Sequence, residues 1–134
     1  MIQIEDELFT TVATALREAY EGIYVAGEYV NQPPKLPAVF IIEQDNSVYQ
    51  RGVDSGDTEN YADVMYEANV YSNSITGKKA ECKEIMATID EQFAALGFTR
   101  SFLNPIQNLN DPTIYRMTGR WIATVSNDQV IYRR

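Results

Sequence analysis

The chain contains no histidine and a single cysteine. Without histidine, Ser-His-Asp catalysis, Cys-His catalysis and every histidine-based metal centre are excluded. A lone thiol closes no internal disulfide, and a four-ligand zinc site is excluded with it. Long hydrophobic runs are also missing. The longest, Ala38 to Ile42 (AVFII), falls far below the ~18 residues that indicate a membrane span. The opening Met1 to Glu7 (MIQIEDE) carries acids where a signal peptide needs a basic flank and an apolar stretch. The expectation is a soluble protein kept in a reducing cytoplasm. No G-x-G-x-x-G follows a strand-like segment, and Gly77-Lys78 lacks the rest of a phosphate loop.

What is present is ordinary globular composition: 134 residues, 45% hydrophobic and 22% charged. That length fits one domain, 1–134, with a core that needs no covalent staple. Residues 4–21 have the spacing of an amphipathic helix, with Leu8, Val12, Leu16 and Tyr20 at i+4, three acids in the first turn and Gly22 as a stop. A second helix is expected over Lys78–Leu96. Its apolar residues Cys82, Met86, Ile89, Phe93 and Leu96 step by four and three, and Gly97 supplies the left-handed end.

Elsewhere the period is two. Ile23–Val30 reads as a first strand, Ala38–Gln44 as a nearly continuous apolar one, and Phe98–Leu103 as a short one. In Tyr61–Ser72, Ala62, Val64, Tyr66, Ala68 and Val70 alternate with Asp63, Glu67 and Asn69. In Thr113–Ser126, Tyr115, Met117, Trp121, Ala123 and Val125 oppose Arg116, Thr118, Arg120 and Thr124. Val130–Tyr132 can fold back as a last strand, while residues 45–60 and 104–112 read as loops, the first with a hairpin through Val48 and Tyr49 as the alternative. The expected fold is α+β, in the order α-β-β-β-α-β-β. It has two layers, with a mainly antiparallel sheet and both helices packed on one face. Leu8, Val12, Leu16, Met86, Ile89 and Phe93 should be buried against Val64, Tyr66, Val70, Tyr115, Trp121 and Val125.

Candidate chemistry is sparse. Asp54, Asp57 and Glu59, with Gly52 and Gly56 beside them, could hold a hard cation, but their spacing does not match an EF-hand loop. A solvated acidic loop is the simpler reading. Cys82 falls on the apolar stripe, which makes it a packed core thiol rather than a nucleophile. No catalytic residue, metal or cofactor is expected.

Charge layout is more informative. Residues 1–70 carry a net −10 and residues 71–134 a net +2. Arg116 and Arg120 on one strand face, with Arg133 and Arg134 at the tail, suit an acidic surface such as the first half of a neighbouring copy. Contact between different patches of identical subunits is heterologous and makes a ring when the rotation closes. Nine tyrosines also exceed what a small core needs; Tyr29, Tyr49, Tyr61 and Tyr71 fall in loops, at strand ends or on a polar strand face, and tyrosine is enriched at interfaces. The segment 45–60, sixteen residues long, mixes Tyr49 and Arg51 with Asp54, Asp57 and Glu59, a composition suited to subunit or tube contact.

Two stretches carry a family resemblance. Gly77-Lys78-Lys79-Ala80-Glu81-Cys82-Lys83 runs on to Ala95-Leu96-Gly97-Phe98, and Asn108-Leu109-Asn110-Asp111-Pro112-Thr113-Ile114-Tyr115-Arg116-Met117 runs on to Arg120-Trp121. With the opening helix and the final Ile131-Tyr132-Arg133-Arg134, they resemble the tail terminator, tail completion and minor capsid (head-tail joining) proteins of long-tailed bacteriophages. The resemblance covers nearly the whole chain and implies a tail-terminator-like fold. It implies a structural virion protein without catalysis that caps the tail tube as a hexameric ring and joins it to the neck and head. The implied partners are further copies of the chain, the tail tube protein and neck or head-completion proteins. DNA would pass without specific binding, past a wall that repels phosphate. The implied location is the virion tail or neck, reached from the host cytoplasm during assembly. The alternatives are a head-side neck adaptor or minor capsid protein, and a small acidic DNA mimic. Against the mimic, the acids concentrate in the first half and the C-terminal strand bears arginines.

Overall fold

In the computed structural model the described residues are 1–30, 33–48, 61–106, 111 and 113–133, with backbone alone at 48, 132 and 133. The elements are α1 (Glu5–Ala19), β1 (Tyr24–Ala26), β2 (Ala38–Val48), β3 (Tyr61–Ser72), α2 (Lys78–Ala95), β4 (Thr99–Ile106), β5 (Tyr115–Ser126) and β6 (Ile131–Arg133). The expected order therefore stands, with the optional terminal strand present.

The sheet runs β1-β2-β3-β5-β4, and β6 pairs with the far end of β5. All pairings are antiparallel except β1 with β2, which is parallel. Inward-facing side chains of β2, β3 and β5 form one core with α1 and α2, so the two layers are helices on sheet. Leu8, Val12, Leu16, Met86, Ile89 and Phe93 are buried there with Val64, Tyr66, Val70, Trp121 and Val125. Tyr115 is only partly buried and packs at the margin.

The helix ends follow from local chemistry. α2 stops in a Schellman turn: Phe98 N–H reaches Phe93 O at 2.9 Å and Gly97 N–H reaches Ala94 O at 3.0 Å. Gly97 sits at φ +99°, where a Cβ would be strained, and Phe98 closes onto Phe93 with ring centroids 5.3 Å apart. At the centre of the sheet, a Cβ on Gly119 would lie 2.6 Å from the Trp121 ring. The missing side chain is what lets the indole lie flat on β5. The indole stacks on Phe93 at 4.5 Å and 6°, and its Nε1–H donates to Asp90 Oδ1 at 2.9 Å.

Three boundaries differ from the sequence reading. The first strand is confined to Tyr24–Ala26. β2 continues through Asp45-Asn46-Ser47 to Val48, residues whose composition reads as a loop. Their backbone groups find partners on β3, from Asp45↔Met65 to Val48↔Ala62, and ladder pairing overrides the local turn preference. The register shifts between Glu43 and Asp45, so Gln44 is the extra residue of a bulge. β4 likewise extends through Asn104-Pro105 to Ile106, since a proline is tolerated on a strand at the sheet edge.

Cys82 is fully buried, and its thiol donates weakly to Val70 O and Tyr115 O at 3.7 and 3.5 Å. Burial, and then the charge of Glu81, push the thiol pKa up to about 12. Native protein is expected to be inert to a disulfide reagent at mildly alkaline pH and to react fully once unfolded in guanidinium. Rapid reaction of the native form would show that the α2 stripe is open.

Candidate functional site

The sheet face away from the helices carries the groups of interest. In β3 the residues facing this side are Asp63, Met65, Glu67, Asn69 and Tyr71, and in β5 they are Arg116, Thr118, Arg120, Ile122 and Thr124. Antiparallel pairing sets Glu67 opposite Arg120, Asn69 opposite Thr118 and Tyr71 opposite Arg116. Opposite-charge and polar residues thus meet as direct cross-strand neighbours.

Glu67 and Asn69 are not the solvated outer side chains that simple alternation implies. They are 5% and 0% exposed. Asn69 is a hub: its Oδ1 accepts from Arg116 Nε at 3.2 Å, Arg116 Nη2 at 2.8 Å and Thr118 Oγ1 at 2.6 Å. Its Nδ2 donates to Glu67 Oε1 at 2.8 Å and to the Tyr29 hydroxyl at 2.6 Å. Tyr29 in turn donates to Glu67 Oε1 at 2.9 Å, and Arg120 Nε to Glu67 Oε2 at 2.8 Å. Tyr29 follows β1 in the chain, so the network also fastens that segment across the sheet.

Each guanidinium is held over a ring. Arg116 lies 5.4 Å from the centre of Tyr71 and Arg120 lies 4.9 Å from that of Phe102, across the β4–β5 pair. Beside them Phe40, itself buried, is ringed by Tyr24, Tyr29 and Tyr71 at 5.7–6.1 Å. Tyr29 remains 51% exposed. Among the described residues Arg120 bonds through Nε alone, and neither of its terminal nitrogens has an acceptor there. The arrangement is recognition chemistry: two preset cations in an aromatic collar, suited to carboxylates.

Burial pushes the Glu67 pKa up, but hydrogen bonds from Asn69, Arg120 and Tyr29 and the Arg120 charge outweigh it and hold the carboxyl below its ordinary 4.5. The folded state thus binds this proton more weakly than the unfolded chain. The stabilisation is complete above the ordinary value and lost as pH falls below it. The stability difference between the parent and Glu67→Gln is expected to be largest near about pH 7 and to shrink by about pH 3. Denaturant midpoints at both pH values measure it, and a constant difference would refute the linkage. On Tyr29, burial and the Glu67 carboxylate together push the hydroxyl up to about 12.

Of the residues expected at a contact surface, the structure brings Arg116 and Arg120 together on this face. Arg133 lies in β6 with its backbone paired to Ala123. Tyr49, Arg51, Asp54, Asp57, Glu59 and Arg134 lie outside the described residues, as does the acidic cluster considered for a cation. Among the described residues no group of three or more acids and cysteines is placed to hold a metal, and no helix is long and apolar enough to cross a membrane. Sequence reasoning pointed to Tyr29 and Tyr71 among the surplus tyrosines but missed Glu67, Asn69, Phe102 and Thr118 as members of the site. The signal that finds them is register, since Glu67 and Arg120 are complementary once the two strands are aligned.

No family model matches the chain, and no curated protein matches its sequence significantly.

Proposed function

We propose that this chain is a structural virion protein of a long-tailed bacteriophage, one that caps the tail tube as a ring and joins it to the neck. The observation that carries the reading is the arginine face: a sheet surface opposite both described helices, whose cations are preset by buried partners and aromatic rings to receive another protein. The resemblance over nearly the whole chain supports it, as does the two-layer α+β architecture with two helices on one side. Net charge of −8 agrees with a passage that lets DNA through without binding it.

The test is genetic. Disruption of the coding sequence in the phage is expected to yield separate heads and tails of irregular length in electron micrographs. A plasmid copy of the parent should restore joined virions, and the double reversal Arg116→Glu with Arg120→Glu should not. Normal tails joined normally to heads, either after disruption or with the double reversal, would overturn the reading.

A further inference from the structure

Arg116 and Arg120 on the sheet and the acidic first turn of α1 lie where one chain cannot join them. Arg116 and Arg120 stand four residues apart on β5, about 13 Å along the strand, on the side away from the helices. The counterpart is the first turn of α1, in the helix layer, where Glu5, Asp6 and Glu7 stand in succession. None of these three acids makes an ion pair among the described residues, and Glu43 adds its charge beside Glu5. Asp6 and Glu7 are exposed. The sheet separates the acidic shoulder from the arginines. Among the described residues the arginines' acidic partner is Glu67, which bonds Arg120 Nε. The outer nitrogens of Arg120 and the exposed Asp6 and Glu7 are left to meet another copy.

We infer that the arginine face of one copy docks the acidic shoulder at the start of α1 of a second copy, head to tail. Charge complementarity selects this occupant. Self-contact of the arginine face about a two-fold axis would set arginine against arginine, and Glu67, being buried, cannot answer them. Contact between unlike patches repeats from copy to copy and closes when the rotation allows. The preset guanidiniums lose little side-chain freedom on docking, and the half-exposed Tyr29 and the rings beside it add aromatic area of the kind that anchors interfaces. This is the contact that a ring would repeat, and its biological meaning rests on the function proposed above. Its measurement does not.

The experiment is sedimentation equilibrium of the full chain up to millimolar concentration, at low and high salt. The parent is expected to self-associate, more weakly at high salt. Arg116→Glu with Arg120→Glu on one face, and Asp6→Lys with Glu7→Lys on the other, should each weaken association by at least about tenfold. The second variant leaves the Asn69–Glu67 network untouched, so a folding defect in the first does not decide the result. An equimolar mixture of the two variants should associate again, because each supplies the patch that the other has lost. A parent that stays monomeric throughout, variants that associate like the parent, or a mixture that stays monomeric would each overturn the contact. Binding of a labelled DNA duplex to the parent, abolished by the arginine reversal, would assign the face to phosphate and overturn it as well. Self-association through these patches, with normal virions after gene disruption, would sink the function and leave the contact standing. A monomer that phage tails nonetheless require would do the reverse.

Discussion

Phe93→Ala is expected to cost about 3–5 kcal/mol, measured as the shift in denaturant midpoint at constant slope. Phe93 is fully buried and links both layers. Its ring stacks on Trp121 at 4.5 Å, meets Phe98 edge-on at 5.3 Å and lies 6.4 Å from Tyr66. Truncation removes the transfer energy of the ring and leaves a cavity that neither a helix nor a sheet can collapse into. The Schellman turn suffers too, since its apolar closure is the Phe93–Phe98 contact. A melting temperature within about a degree or two of the parent would show that the helices are not seated on the sheet through this residue.

Asn69→Leu is expected to cost about 2–4 kcal/mol through a different physical cause. No apolar contact of note is lost. Instead Thr118, Arg116 and Glu67 lose a shared partner at a site closed to water, and unmade bonds at buried groups are expensive. Asn69→Asp is the informative companion, because it keeps the shape and the acceptor for Arg116 and Thr118. Its second oxygen would confront Glu67 Oε1, to which Asn69 now donates at 2.8 Å. Two carboxylates at that distance do not both ionise, so the Asp variant should be weakest near neutral pH and recover part of its stability in mild acid. Chemical denaturation of both variants at two pH values checks the pair. A leucine variant within about 0.5 kcal/mol of the parent would mean that the network adds nothing to stability.

The contrast between these two residues marks what the sequence could and could not disclose. Phe93 announces itself, because a period of 3.6 over Cys82, Met86, Ile89 and Phe93 has one reading and Gly97 ends it. β3 and β5 were as legible, each alternating over twelve residues. Asn69 gave no such signal. On an alternating strand a polar residue is assigned to solvent, and only the register with β5 reveals that arginines and tyrosines fold over it. The tail of β2 hid for a related reason. Asp45, Asn46 and Ser47 carry turn chemistry, and only a neighbouring strand, distant in sequence, turns them into a ladder. Arg116 and Arg120 lay between these cases. Their shared face was readable from spacing, while the partners that hold them were not. The segment 45–60 was legible as far as its length and composition, and only its first four residues fall within the described strand.

The bulge at Gln44 has a consequence for how this sequence can change. Beyond it, Asn46 occupies the register position of Val64, on the helix side, while Asp45 and Ser47 pair with Met65 and Asp63 on the other. Asn46 thereby reaches both Glu43 and the Ile2 carbonyl, and ties the N-terminal residues to the sheet. Removing Gln44 would set the Glu43–Tyr66 pair directly beside Asp45–Met65, giving a regular ladder in which Asp45, Asn46 and Ser47 keep the faces they now hold. Elsewhere along β2 no residue is spare, and a deletion would send side chains of one face to the other. The Gln44–Asp45 step is therefore the place where this strand can change length. Variants of this fold should tolerate the loss of a residue there and keep their length along the rest of β2.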